Sequence, residues 1–180
     1  GCLTTVWGDD DRFMKSYFAD FKELLYTSSD WAVRDPDGYF FILGRTDDVI
    51  NVAGHRLGTR EIEEAVSQHE SVAEVAVVGV QDELKGQEAV AFTVLKNPDE
   101  VDTPDKAAAL ETAIKGVVVK SLGPVARPKH VHFVNALPKT RSGKLLRRSI
   151  QALAEGRDPG DLTTLDDPAS LEAVREAVQP

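Results

Sequence analysis

The sequence predicts an α+β fold, a small mixed sheet with helices packed on it, preceded by a β-hairpin. Three observations predict it. Residues 72–80 are rich in valine and carry a single charge, as a mostly buried strand does. Across residues 103–123, Ala107, Leu110, Ile114, Val117 and Val118 keep the i, i+3, i+4 spacing of an amphipathic helix lying on a sheet. Asp35-Pro36-Asp37-Gly38 separates two apolar segments with turn chemistry, Pro fixing φ and Gly taking the strained position.

The remaining elements follow in chain order. Residues 1–22 place Phe13, Tyr17 and Phe18 on one helical face, with little nearby for that face to bury against. Leu24-Leu25-Tyr26 reads as a strand and Tyr39-Phe40-Phe41-Ile42-Leu43 as its return, so 23–43 is expected to be a hairpin. Asp30 would then follow the first strand. A carboxylate there can accept two hydrogen bonds from vicinal ribose hydroxyls, although an Asp in a solvated turn is the ordinary reading of the residue alone. Gly44-Arg45-Thr46-Asp47-Asp48 is small and charged, and reads as a solvated connector.

Residues 49–52 alternate apolar side chains with Asn51, as a short strand does. Ala53-Gly54-His55 is a tight turn and Arg56-Leu57 the returning arm. Gly54 is required there for one of two reasons, a positive φ or a ligand passing close to the backbone. The steric reason is the expected one. Thr59 has the chemistry of a helix N-cap, with Glu61, Glu63 and Glu64 in the first turn, where the helix dipole favours carboxylates. Ile62, Ala65 and Val66 form the inward face of a helix over residues 61–69.

Residues 88–95 are a second strand of the sheet, and Thr103-Pro104 caps the long helix that Gly123-Pro124 ends. A third strand over 130–134 puts His130 and His132 on one face, with no third metal ligand close in sequence. Residues 137–146 form a mobile loop with Lys144 at its tip, and a helix burying Leu146, Ile150 and Leu153 follows. Thr140-Arg141-Ser142-Gly143-Lys144 is not a phosphate-binding P-loop, because the earlier Gly is missing and no buried strand leads into it. Taken alone, Lys144 is a solvated residue at the start of a basic helix, though its long stem suits reaching a phosphoryl or carboxylate oxygen. A turn-rich tail from about residue 155 closes with a short helix over 169–178.

Composition narrows the partners. A formal charge of -9 argues against broad nucleic-acid binding. No apolar run is long enough to span a bilayer, so no membrane partner is expected. The single cysteine, Cys2, excludes an internal disulfide framework and fits a reducing, cytoplasmic setting. The chain opens on Gly1-Cys2-Leu3 without an initiator Met, and is expected to be a piece of a longer protein.

Two stretches carry a family resemblance. Residues 44–63, from Gly44-Arg45-Thr46-Asp47-Asp48 through Ala53-Gly54-His55-Arg56, closely resemble the hinge and following loop of the acyl-adenylate-forming enzymes, in the branch of the acetyl-CoA and propionyl-CoA synthetases. Pro138-Lys139-Thr140-Arg141-Ser142-Gly143-Lys144 resembles that family's terminal Pro-Lys-Thr-x-Ser-Gly-Lys signature. The tail is similar to the extension of its short-chain members. Ser28-Ser29-Asp30 stands where the family has Thr-Gly-Asp or Ser-Gly-Asp, so the Asp carries over and the Gly does not.

The resemblance, greatest to the propionate-using members, implies an ATP-dependent acid–CoA ligase working in two half-reactions. Propionate and MgATP give propionyl-AMP, and coenzyme A then displaces AMP. Residues 1–46 would end the large AMP-binding domain, and 47–180 would be the mobile C-terminal lid. Asp47 would be the hinge. Asp30 and Arg45 would hold the ribose of ATP or AMP, Arg56 a phosphate, and Gly54 would lie beside the pantetheine path. Lys144 would serve adenylation and be the target of a lysine acetyltransferase and deacetylase. Mg2+ would be bound mainly by the large domain, the chain's own N-terminal partner. The piece alone is expected to be inactive. The alternatives are an acetyl-CoA synthetase and a non-catalytic, stand-alone module of the same fold.

Overall fold

A computed structural model describes residues 3–19, 25–46 and 48–179. The chain divides into two units, Gly1–Asp47 and Asp48–Pro180. In the first, α1 (Asp10–Tyr17) is capped by Asp9, whose carboxylate accepts the Arg12 N–H at 3.0 Å. Its aromatic face does find a partner. The Tyr26 ring stacks on Tyr17 at 4.9 Å and meets the edge of Phe18 at 5.6 Å.

That contact corrects the first expected strand. Leu25 and Tyr26 are not in a strand, and Leu24 lies outside the described residues. The Thr27 N–H donates to the Tyr17 carbonyl at 2.8 Å, so the backbone there joins α1 and not a ladder. The hairpin is formed instead by β1 (Asp30–Arg34) and β2 (Phe40–Arg45), antiparallel across the Asp35–Gly38 turn. Asp30 therefore opens a strand and does not follow one. Gly44 and Arg45 belong to β2 and not to a connector, because the ladder continues opposite Trp31 and Asp30. The connector begins at Thr46, whose N–H donates to the Ser29 carbonyl at 2.8 Å.

The second unit holds β3 (Val49–Val52), β4 (His55–Gly58), α2 (Thr59–Val66), β5 (Val72–Asp82), β6 (Gly86–Leu95), α3 (Pro104–Leu122), β7 (His130–Phe133), α4 (Arg147–Ala154) and α5 (Pro168–Val178). The sheet is mixed. β5 pairs antiparallel along one edge of β6. On the other edge β3 meets β6 at Val52 and Gly86, and β7 runs parallel over Val90 to Thr93.

Helices cover both faces. Val75 and Val77 of β5 look toward α2 and α3, where Ile62, Val66, Ile114 and Val118 are buried. Ala76 and Val78 look the other way, toward Ile150 and Leu153 of α4 and Leu171 and Val174 of α5. Burial on both faces is why β5 reads as a continuous apolar run and not as an alternation. Phe92, wholly buried in the second core, stabilises the fold by about 2–3 kcal/mol. The long helix keeps Ile114 and Val118 innermost, while Ala107, Leu110 and Val117 are half-buried.

Thr59 is not the N-cap of α2. Gly58 is, without a side-chain bond, and Thr59 is the first helical residue and buried. The β3–β4 ladder runs straight into the helix, so the Thr59 N–H reaches the Asp48 carbonyl at 3.3 Å. Of the acidic residues only Glu61 lies in the first turn.

The outer edge of β5 is closed by side chains. Glu63 accepts the Val77 N–H at 2.9 Å, Gln151 donates to the Gly79 carbonyl at 2.8 Å, and Glu155 accepts the Gln81 N–H at 3.1 Å. An open strand edge would otherwise present unpaired backbone groups.

Candidate functional site

Within the first unit, the register of the hairpin brings two expected nucleotide ligands together. Asp30 and Arg45 are cross-strand partners at the open end of β1–β2. Arg45 Nη1 lies 3.9 Å from Asp30 Oδ1, and both side chains are nearly half exposed. A carboxylate and a guanidinium side by side offer acceptors for hydroxyl donors and a cation for an oxyanion. Ser29, just before Asp30, has φ 62, a left-handed backbone at the position that is glycine in the resembling family. Asp47 lies outside the described residues.

In the second unit, Gly54 sits at the tip of the β3–β4 hairpin. Val52 and His55 are cross-strand partners, and the two residues between them, Ala53 and Gly54, have φ 49 and φ 85. Two positive φ values define the primed turn that matches the twist of a two-residue hairpin. A Cβ at Gly54 would meet nothing within 4 Å. The positive φ gives glycine a conformational reason at this position, and the space around the tip is open. Arg56 stands opposite Asn51 on the returning arm; its side chain is exposed and has no ion-pair partner among the described residues.

The Lys144 loop is more ordered than its composition suggests. Lys139 and Leu145 bridge antiparallel, and the Thr140 N–H donates to the Lys144 carbonyl at 2.8 Å. The turn closes with Gly143 at φ 82, its N–H on the Thr140 carbonyl at 2.8 Å. Lys144 lies just past the tip, on the descending arm. The tail braces this hairpin: Arg141 N donates to Thr164 O at 3.2 Å and Asp166 N to Lys139 O at 2.9 Å. Lys139 is held by Glu74, Nζ to Oε2 at 2.7 Å. The Lys144 ammonium is exposed and has no ion-pair partner among the described residues. An open groove of about 590 Å³ runs beside it, with Arg60, Glu63 and Glu74 on its walls.

The two hairpins are anchored at opposite ends of β5. Lys139 ties the Lys144 loop to Glu74, near the strand's start. The Gly54 turn leans on Lys85, just past the strand's end, through the Ala53 N–H at 2.8 Å. The eight steps from Glu74 to Asp82 separate those anchors by about 26 Å at roughly 3.3 Å per residue.

One cluster leaves no mark in the sequence. Arg147, at the start of α4, donates to both Glu63 carboxylate oxygens at 2.8–3.3 Å and lies 3.8 Å from Asp48 Oδ2. Residues so far apart in sequence give no periodic signal. Among the described residues, the two strand histidines included, no three His, Cys, Asp or Glu gather into a possible ion site. Burial, together with neighbouring His130, keeps the His132 imidazole below its ordinary value.

A mixed sheet clad by helices, bearing a glycine-tipped hairpin at one end and a lysine hairpin at the other, defines a class. Residues 61–144 match the AMP-binding enzyme C-terminal domain. Through this segment the chain belongs to that family. It is 62% identical over 179 residues to the propionate–CoA ligase of Escherichia coli K12, covering 99% of this chain and 28% of that protein. It is 51% identical over 177 residues to the acetyl-coenzyme A synthetase of Burkholderia thailandensis, covering 96% of this chain and 26% of that one. The crystal structure of an ATP-bound RpMatB-BxBclM chimera matches with a TM-score of 0.66 at 30% identity, over 82% of this chain and 28% of that chain. The chain thus spans 28% or less of the length of these curated relatives.

Proposed function

We propose that the chain is the C-terminal part of an AMP-forming propionate–CoA ligase. The observation that carries this reading is the 62% identity, across nearly the whole chain, to a propionate–CoA ligase. Residues 1–46 would then end the AMP-binding domain, with Asp30 and Arg45 at the ribose, and residues 47–180 would be the moving domain. Asp47 is the assigned hinge; a proline there would restrict rotation of the connector.

In the first half-reaction a propionate oxygen attacks the α-phosphorus of ATP and pyrophosphate leaves. The Lys144 ammonium would bridge the acid and the α-phosphate, placing positive charge where negative charge develops. In the second, the coenzyme A sulfur attacks the acyl carbon and AMP leaves, with Gly54 beside the entering thiol and Arg56 at a phosphate. The opposed anchoring of the two hairpins along β5 supports this division of labour, since each half-reaction would use its own end of the sheet. Mg2+ would be held mainly by the AMP-binding domain; among the described residues no three His, Cys, Asp or Glu gather into an ion site. Acylation of Lys144 would remove the charge that adenylation needs, and a cytoplasmic setting would supply the acetyltransferase and deacetylase.

The test uses the longer protein that carries this chain. Propionate-dependent exchange of pyrophosphate into ATP and formation of propionyl-CoA are expected, both exceeding the rates with acetate. Lys144→Ala should abolish exchange while thioester formation from supplied propionyl-AMP continues. Preference for acetate would favour the acetyl-CoA synthetase reading. Absence of exchange with any short-chain acid would leave a non-catalytic module.

A further inference from the structure

The β3–β4 hairpin touches the rest of the sheet at few points, and each is specific. β3 and β6 share one register pair, Val52 with Gly86. Beyond it, the Ala53 N–H donates to the Lys85 carbonyl at 2.8 Å. Before it, the Asn51 N–H donates to the side-chain Oε1 of Gln87 at 2.9 Å. Under the hairpin, Ile50 rests against Gly79, where a Cβ would stand 3.1 Å from Ile50 Cγ2 and 3.3 Å from Gln87 Nε2. The hairpin is therefore seated by a backbone carbonyl, an amide side chain and a bare glycine.

The turn that supplies the carbonyl is itself fastened. Asp82 Oδ1 accepts the N–H groups of Leu84 at 3.0 Å and Lys85 at 2.9 Å. Lys85 Nζ lies 2.6 Å from Glu88 Oε1, and Lys129 Nζ lies 2.6 Å from Glu88 Oε2 and 3.4 Å from Asp82 Oδ2. Two lysines and two carboxylates thus lock the β5–β6 turn against β7's approach segment. Meanwhile Ala53 keeps a left-handed backbone that an L side chain rarely adopts, and such strain persists only where the surroundings over-determine it.

We propose that Gln87, together with the Lys85 turn held by the Asp82–Glu88–Lys129 cluster, positions the Ala53–Gly54 turn for the thioester-forming half-reaction. This rests on the acid–CoA ligase reading above. Asn51 is exposed, Ile50 and Val52 beside it are buried, and a leucine in place of Gln87 would keep an apolar stem of similar length next to them. Losing the Gln87 acceptor would therefore release the hairpin's aim and leave the fold in place. The Lys144 loop, anchored at the far end of β5, would not feel the change.

The experiment compares Gln87→Leu, which removes the acceptor, with Gln87→Glu, which keeps an oxygen in the same place, in the longer protein. Gln87→Leu should slow thioester formation from supplied acyl-adenylate and coenzyme A by about 10- to 100-fold, the range a misplacement near 1 Å produces. Pyrophosphate exchange and the melting temperature should stay near wild type, and Gln87→Glu should recover most of the thioester rate. Backbone amide exchange at Asn51 and Ala53 should quicken in the Leu variant alone. Equal loss of both half-reactions, or an unchanged thioester rate despite faster amide exchange, overturns the positioning role. A wild-type protein without activity on any short-chain acid overturns the ligase reading itself, and this inference with it.

Discussion

Arg147 Nη2 lies 2.8 Å from Glu63 Oε2, and the same guanidinium reaches Asp48. One cation thereby joins the start of α4, the middle of α2 and the first residue of the second unit. The Glu63 side chain is 12% exposed and also accepts the Val77 N–H. Arg147→Met would leave that carboxylate with the backbone N–H as its remaining partner. The variant should lose about 1–3 kcal/mol of stability in urea unfolding. Glu63→Gln, which keeps the acceptor for Val77, should lose less. An Arg147→Met protein as stable as wild type would make the cluster a surface contact of no consequence.

The pH dependence of stability should have two acid-side steps. His132 is held below its ordinary value mainly by burial, so its neutral form suits the folded state. Stability should begin to decline as the pH falls below about 6.5, where the unfolded chain takes up that proton first. Asp82 is held low chiefly by the Lys85 and Leu84 N–H groups, and Glu88 chiefly by Lys129 and then Lys85. Their stabilisation is present above the ordinary carboxylate range and is lost below about pH 4. Lys129, raised by Glu88 and then Asp82, keeps its contribution until strongly alkaline pH. Urea midpoints measured across the acid range should show both declines; His132→Gln should remove the first and Lys129→Met should shrink the second.

The turn at Ala53 and Gly54 offers a third test. Ala53 occupies a position in which Asn is the favoured residue of a primed hairpin turn. Ala53→Asn should stabilise the chain by about 0.5 kcal/mol. Gly54→Leu meets no clash but must adopt φ 85, and should destabilise by about 1–3 kcal/mol. Thermal melts of both variants check the pair of signs. A Gly54→Leu protein with an unchanged melting temperature that still fails to form thioester would return the position to the steric explanation.

Elements built from local spacing are legible in the order of the residues. The buried faces of α2 and α3, the apolar run of β5 and the turns at Gly38 and Gly54 all follow from it. Contacts made at long range are not legible in this way. The β1 strand begins at Asp30 because Tyr26 is drawn onto Tyr17, and nothing in the Leu-Leu-Tyr string announces that stacking. Gly44 and Arg45 look like a connector, yet the ladder opposite Asp30 makes them strand. The candidate residues Lys144, Gly54 and Arg56 stand out as motifs. Their separation along β5 and the grip of Gln87 on Asn51 depend on which strands pair, and pairing leaves no periodic trace.

The closed rim of β5 has a consequence for how the molecule fails. Its three closing side chains come from separate places: Glu63 from α2, Gln151 from α4, and Glu155 from the residue that ends α4. None of them is fixed to the strand by sequence, so the rim stays shielded only while both helices remain docked. A partial opening that lifts α2 would uncover Val75 and Val77, and one that lifts α4 would uncover Ala76 and Val78, in either case along a bare strand edge. Such an apolar stretch has the composition of a self-adhesive β segment. Aggregation on heating should therefore start from this edge before the rest of the sheet comes apart, and should be resisted best by substitutions that hold α2 and α4 in place.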